Sequence, residues 1–85
     1  MTEKQMLKYK YKKCKIRYRM NHNSNIILEL EGTVIPQECK IYVNRNNVLR
    51  EYKHYDFLIT KDGKGDYIYY YQVKDIVEIK EVEND

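Results

Sequence analysis

The chain has 85 residues, 42% hydrophobic and 34% charged, with ten tyrosines, one phenylalanine and no tryptophan. That length makes a single domain spanning residues 1–85, near the lower limit of what buries a core unaided, and the apolar supply excludes a disordered composition. The net charge of +3 is too small to argue for nucleic acid by itself, but it is unevenly placed: residues 1–20 hold eight basic and one acidic residue, 21–74 seven of each, and 75–85 one basic and five acidic.

No apolar run is long enough to cross a bilayer as a helix, and Met1-Thr2-Glu3-Lys4-Gln5 lacks the apolar stretch of a signal peptide. A cytoplasmic protein is expected. The abundance of Lys, Ile, Asn and Tyr has the flavour of an AT-rich genome, an association shared with small proteins of phages and mobile elements in low-GC bacteria.

In chain order, residues 7–20 alternate apolar with basic residues and predict a strand, with a phase shift at Lys12-Lys13 that reads as a β-bulge. One face then carries Lys8, Lys10, Lys12 or Lys13, Lys15, Arg17 and Arg19. A strand of that length exceeds twice the usual, so either it bends through a barrel or residues 1–11 project as a basic arm. Residues 21–25 form an Asn-rich turn, and residues 26–35 a strand bent at Gly32. Pro36-Gln37-Glu38 predicts a turn before a short strand over 39–43. Residues 44–54 read equally as a short helix capped by Asn46 or Asn47, or as strand plus loop. Residues 55–60 and 66–73 flank Asp62-Gly63 as a hairpin. A last strand covers 76–83 and runs into an acidic tail.

These elements predict a mainly β fold, a small antiparallel five- to six-stranded barrel or strongly bent sheet with at most one short helix. The order resembles SH3-like and Sm-like small barrels over roughly residues 14–82. A basic strand is followed by a bent strand with a mid-strand glycine (Leu30-Glu31-Gly32-Thr33-Val34), a long-looped hairpin and a closing segment, Val73 to Ile79. No specific family motif accompanies the pattern, so it implies a fold and no functional residues.

The basic strand has two competing readings. If first and last strands pair, Lys15, Arg17 and Arg19 lie beside Glu78, Glu81 and Glu83, a purely structural use of the charge. Otherwise Lys8, Lys10, Lys12 and Lys13 contact phosphates while Tyr9 and Tyr11 stack bases, or the segment adds a strand to a partner's sheet. Tyr67, Tyr69 and Tyr71 fall on one face of a predicted strand and are expected mainly to serve the core. Tyr42, Tyr52, Arg45, Arg50 and Lys53 combine the residue types most enriched at binding hot spots.

Cys14 and Cys39 fall at inward phases and are expected as buried thiols. With His22 and His54 they lack the close pairing of a zinc site, and Ser24 lacks the context of a nucleophile. No metal, cofactor or catalytic activity is expected. The function expected is a non-catalytic protein-binding module, a phage or mobile-element accessory protein inhibiting a host factor such as a defence nuclease complex. The alternative is direct binding of RNA or single-stranded DNA through the basic-aromatic strand. Homo-oligomerisation is a third possibility, since small β domains often cover an edge that way.

Overall fold

A computed structural model describes residues 1–82. Helix α1 (Glu3–Leu7) precedes strands β1 (Lys13–Arg19), β2 (Ile27–Arg45), β3 (Val48–Lys61) and β4 (Lys64–Ile68); a 3-10 segment (Tyr70–Asp75) then leads into β5 (Ile76–Glu81). All pairs are antiparallel, in the order β4-β3-β2-β1-β5. The edge strands β4 and β5 do not pair, so the sheet is strongly bent rather than closed.

Strand β2 organises the molecule by serving two neighbours in turn. Its residues 27–33 pair with β1, and from Thr33 onward it pairs with β3. The bend falls at Gly32, where a Cβ would run into the Thr60 carbonyl. Only glycine allows the two backbones to approach so closely.

The concave side holds the core. Cys14, Ile16, Val34, Phe57, Ile59 and Ile68 come from β1–β4, with Ile76 at the head of β5; Met6 of α1 and Val73 of the 3-10 segment fill the open side. Each large apolar side chain so buried contributes about 1.5–3 kcal/mol relative to leaving it in water.

The hairpin at Asp62-Gly63 is as the sequence predicts, and of the competing readings of the basic strand the one that pairs first and last strands holds for β1 and β5. Both turn residues have positive φ, 51° and 76°, as a two-residue hairpin loop requires. Arg17 lies opposite Glu78, although Lys15 faces Lys80 and Cys14 faces Glu81. Glu83 lies outside the described residues.

Several expectations are corrected. The basic strand begins at Lys13, not Leu7, and residues 1–11 lie against the body instead of projecting. Thr2 and Gln5 form a reciprocal capping box that starts a helix, and Met6 is fully buried beneath it. Tyr11, at φ 63°, donates its N–H to the Val34 carbonyl at 2.6 Å, and the Val34 N–H donates to the Lys12 carbonyl at 3.0 Å. The expected bulge at Lys12-Lys13 is therefore a turn, and the irregularity in β1 falls instead between Arg17 and Tyr18.

Pro36-Gln37-Glu38 is not a turn. Pro36 continues β2 opposite Phe57, with its missing N–H on the side where β1 has already left. Of the two readings of residues 44–54, strand plus loop holds and the helix does not: strand lies on both sides of Asn46 and Asn47, whose φ values of 51° and 63° make a two-residue hairpin turn. Finally, β4 stops at Ile68. The Tyr70 N–H donates to Asp56 Oδ1 at 2.8 Å, and Gln72 Oε1 accepts the Tyr69 N–H at 3.0 Å, drawing the chain into the 3-10 segment. Short helical pieces thus number two among the described residues, where at most one was expected.

Candidate interaction surface

Beyond Pro36 the β2–β3 hairpin leaves the body. Residues 37–45 pair with 48–56 through nine cross-strand positions. Among the described residues no third strand joins them, since β1 stops pairing with β2 at Thr33 and β4 meets β3 only from Phe57. At about 3.3 Å per residue this ribbon runs about 30 Å. It accounts for the elongated envelope, 53 Å against 28 and 22 Å.

The two faces of the ribbon differ. One carries Glu38, Lys40, Tyr42 and Asn44 with Leu49, Glu51, Lys53 and Tyr55. Charges there are satisfied within the ribbon: Lys40 pairs with Glu51 at 3.3 Å and Lys53 with Glu38 at 3.2 Å. The Glu38 hydrogen bond pushes the Lys53 ammonium above its ordinary range, and that ammonium also lies 5.6 Å from the Tyr55 ring centre. The opposite face carries Cys39, Ile41, Val43 and Arg45 with Val48, Arg50, Tyr52 and His54. Arg45 and Arg50 form no ion pair among the described residues. On that face Val48 and Tyr52 are 53% and 44% exposed, and on the first face Leu49 and Tyr42 are 65% and 58% exposed.

The base of the ribbon is anchored by α1. Glu3 accepts the Tyr55 N–H at 2.7 Å through Oε1, and its Oε2 lies 3.0 Å from His54 Nδ1. The His54 ring stacks on Tyr70 at 4.4 Å. The distal ribbon is thus held at one end and free along both edges.

The basic strand occupies different ground. Lys13, Lys15, Arg17 and Arg19 share the convex face of β1, with Arg17 between Glu29 and Glu78, and Lys15 between Glu31 and Lys80. Lys61 donates to Glu31 at 2.6 Å and holds that carboxyl below its usual range. The charge is therefore interleaved with acids rather than presented as a continuous stripe. Lys8 and Lys10 are exposed in the turn after α1, Lys12 pairs with Glu81 at 3.6 Å, Tyr9 packs against the core and Tyr11 stands in solvent. Those lysines are separated from the ribbon residues Tyr42, Arg45, Arg50, Tyr52 and Lys53, so the candidate residues form two groups.

Tyr67, Tyr69 and Tyr71 form an outward ladder of near-parallel rings, with centroids 5.6 and 5.7 Å apart. They are 40–57% exposed rather than core. Their faces are largely spent on one another, which leaves edges and hydroxyls for solvent.

Burial raises the Cys14 thiol, and burial with the nearby Asp56 raises Cys39, so neither is activated as a thiolate. Cys39 is half-buried, less enclosed than the sequence implies. Among the described residues no three His, Cys, Asp or Glu side chains converge as metal ligands, and no helix is long and apolar enough to cross a membrane.

Sequence reasoning missed Val48 and Leu49 and the continuity of the ribbon. The available signal was Asn46-Asn47, two residues tolerant of positive φ between alternating apolar positions. Against known protein families, curated proteins and solved structures the chain shows no match.

Proposed function

We propose that the chain is a non-catalytic protein-binding module that lays the β2–β3 ribbon on another protein and blocks the surface beneath it. One observation carries this reading. The distal ribbon presents exposed Val48 and Tyr52 on the face of Arg45 and Arg50, whose charges no acidic neighbour takes up among the described residues, and exposed Tyr42 and Leu49 on the other face. Tyrosine and arginine dominate binding hot spots, and a preformed ribbon loses little freedom on docking. Residues 37–56 hold four Lys or Arg and three Asp or Glu, with two of each already paired, a weak field for a polyphosphate. On the compositional association with small phage proteins, the target in view is a host factor such as a defence nuclease complex.

The test is capture from host lysate with the wild type and with Tyr42→Ala/Arg50→Ala/Tyr52→Ala. A defined partner held by the wild type and bound at least about 30-fold more weakly by the variant supports the reading. Equal capture by both, or no partner at all, overturns it.

Direct nucleic-acid binding is the second reading, favoured by one observation: a two-stranded ribbon fits the major groove of B-DNA, while exposed Lys8 and Lys10, apart from the ribbon in the turn after α1, add basic charge. It requires affinity that falls steeply between about 50 and 200 mM salt, and a flatter slope in Lys8→Gln/Lys10→Gln/Lys12→Gln.

A further inference from the structure

In an antiparallel ladder alternate residues direct both backbone groups to the same side. The Tyr55 N–H points away from β2, towards Glu3, so Glu38 opposite it points its own groups away from β3. Val34 follows the same alternation, bonding Tyr11 and Lys12 on its outer side. Residues 38, 40, 42 and 44 therefore aim N–H and C=O off the outer edge of β2. Among the described residues no backbone bond meets them. Pro36 guards only the base of this edge, and a lone two-stranded ribbon is marginal in water.

Charge and register select the occupant. About a two-fold axis normal to the ribbon, residues of like parity face each other, with one residue facing itself. Centred on Ile41, Lys40 faces the partner's Tyr42 and Glu38 faces the partner's Asn44. Every outward residue of both copies is then bonded, and no like charges are directly opposed. Ile41 meets Ile41, and Cys39 meets the partner's Val43, joining the half-buried apolar residues into one strip. A centre at Lys40 opposes two lysines and wastes a position on Pro36. A centre at Tyr42 carries Glu38 past the strand into the Asn46 turn.

The β3 edge closes itself to the same pairing. Its outward residues there are 49, 51 and 53. The possible centres oppose Arg50 with Arg50, oppose Glu51 with Glu51, or bring Leu49 against Tyr55, whose N–H Glu3 already holds.

We propose that a second copy of this chain pairs with the free edge of β2, fusing the two ribbons into one four-stranded antiparallel sheet centred on Ile41. The pairing is isologous and closes at two subunits. It concerns the edge, whereas the partner reading above concerns the faces and tip, so the two fail separately: a dimer with no partner refutes only the latter.

Sedimentation over a wide concentration range tests the state, the expected mass rising from 10.5 kDa to twice that value. Tyr42→Pro removes an outward N–H without touching the β2–β3 ladder. It should weaken dimerisation about tenfold or more, through two lost hydrogen bonds, with the circular dichroism spectrum retained. Should that variant misfold, Cys39→Ser/Ile41→Cys decides. Opposed non-hydrogen-bonded residues sit about 4.5 Å apart at Cα, within disulfide reach, so mild oxidation should give a covalent dimer. A monomer at every concentration, an assembly larger than two, or a dimer that Ile41→Cys fails to cross-link overturns the proposal.

Discussion

Lys40 lies directly opposite Lys53 across the ribbon, and each is neutralised on the diagonal, Lys40 by Glu51 and Lys53 by Glu38. Two like charges face each other only because two acids flank them. Opposed like charges destabilise a strand pair, and each exposed ion pair returns about 0.2–1 kcal/mol.

Replacing both acids, Glu38→Gln/Glu51→Gln, should therefore loosen the ribbon while sparing the body. Amide hydrogen exchange should speed up over residues 37–54 and stay unchanged at Ile16 and Ile59. The effect should shrink in high salt. Uniform acceleration across the body would contradict this local role.

Gly32→Ala should destabilise the whole fold. The added methyl meets the Thr60 backbone, which cannot swing aside as a flexible side chain would. A cost of about 1–3 kcal/mol is expected for such overpacking, lowering the melting temperature by about 4–8 °C per kcal/mol. An unchanged melting temperature would mean that β2 does not cross β3 as closely as described.

Glu3→Ala should release the base of the ribbon. One carboxylate accepts the Tyr55 N–H and contacts His54, so its loss frees two groups at once. A loss of about 1–3 kcal/mol is expected from urea unfolding, as for a part-buried donor left without a partner. The Glu3→Gln variant keeps an acceptor for Tyr55 and should fall between.

The Lys61–Glu31 bond predicts a pH signature. Folding holds the Glu31 carboxyl below its ordinary range, so the bond contributes fully above that range and is lost as pH falls through the lowered value. Lys61 is pushed up by the same bond, so on the alkaline side the contribution fades only as pH rises through the raised value. Glu31→Gln should thus be less stable than wild type at neutral pH, with the two converging in acid. A gap that persists in acid would assign the difference to something other than this charge.

The sequence made the sheet legible wherever local chemistry and tertiary context agreed. Asp62-Gly63 forces a tight hairpin in almost any setting, and the complementary charge of first and last strands survives as Arg17 opposite Glu78. It misled where the two conflicted. The alternation of Leu7 to Lys12 looks like a strand, but the Thr2–Gln5 capping box, two residues of weak individual signal, starts a helix that ends at Leu7, and the chain then turns through Tyr11 before β1. Pro36 reads as a turn because the usual cost of proline in a strand is a missing ladder bond. Here that N–H faces no neighbour, a fact that depends on where β1 ends. Of the candidate site, Tyr42, Arg45, Arg50 and Tyr52 were legible from residue type alone. Their grouping on a free ribbon was not, since it follows from β1 and β4 both stopping short.

None of the buried apolar residues described, from Met6 to Ile76, falls between positions 37 and 54. The body can therefore keep its stability while the arm beyond Pro36 is rewritten, provided that the alternation and the Asn46-Asn47 turn persist. Such a layout lets substitutions accumulate in the ribbon almost free of the folding threshold that restrains the rest of the chain. A lineage carrying it could change the ribbon's surface faster than it changes shape.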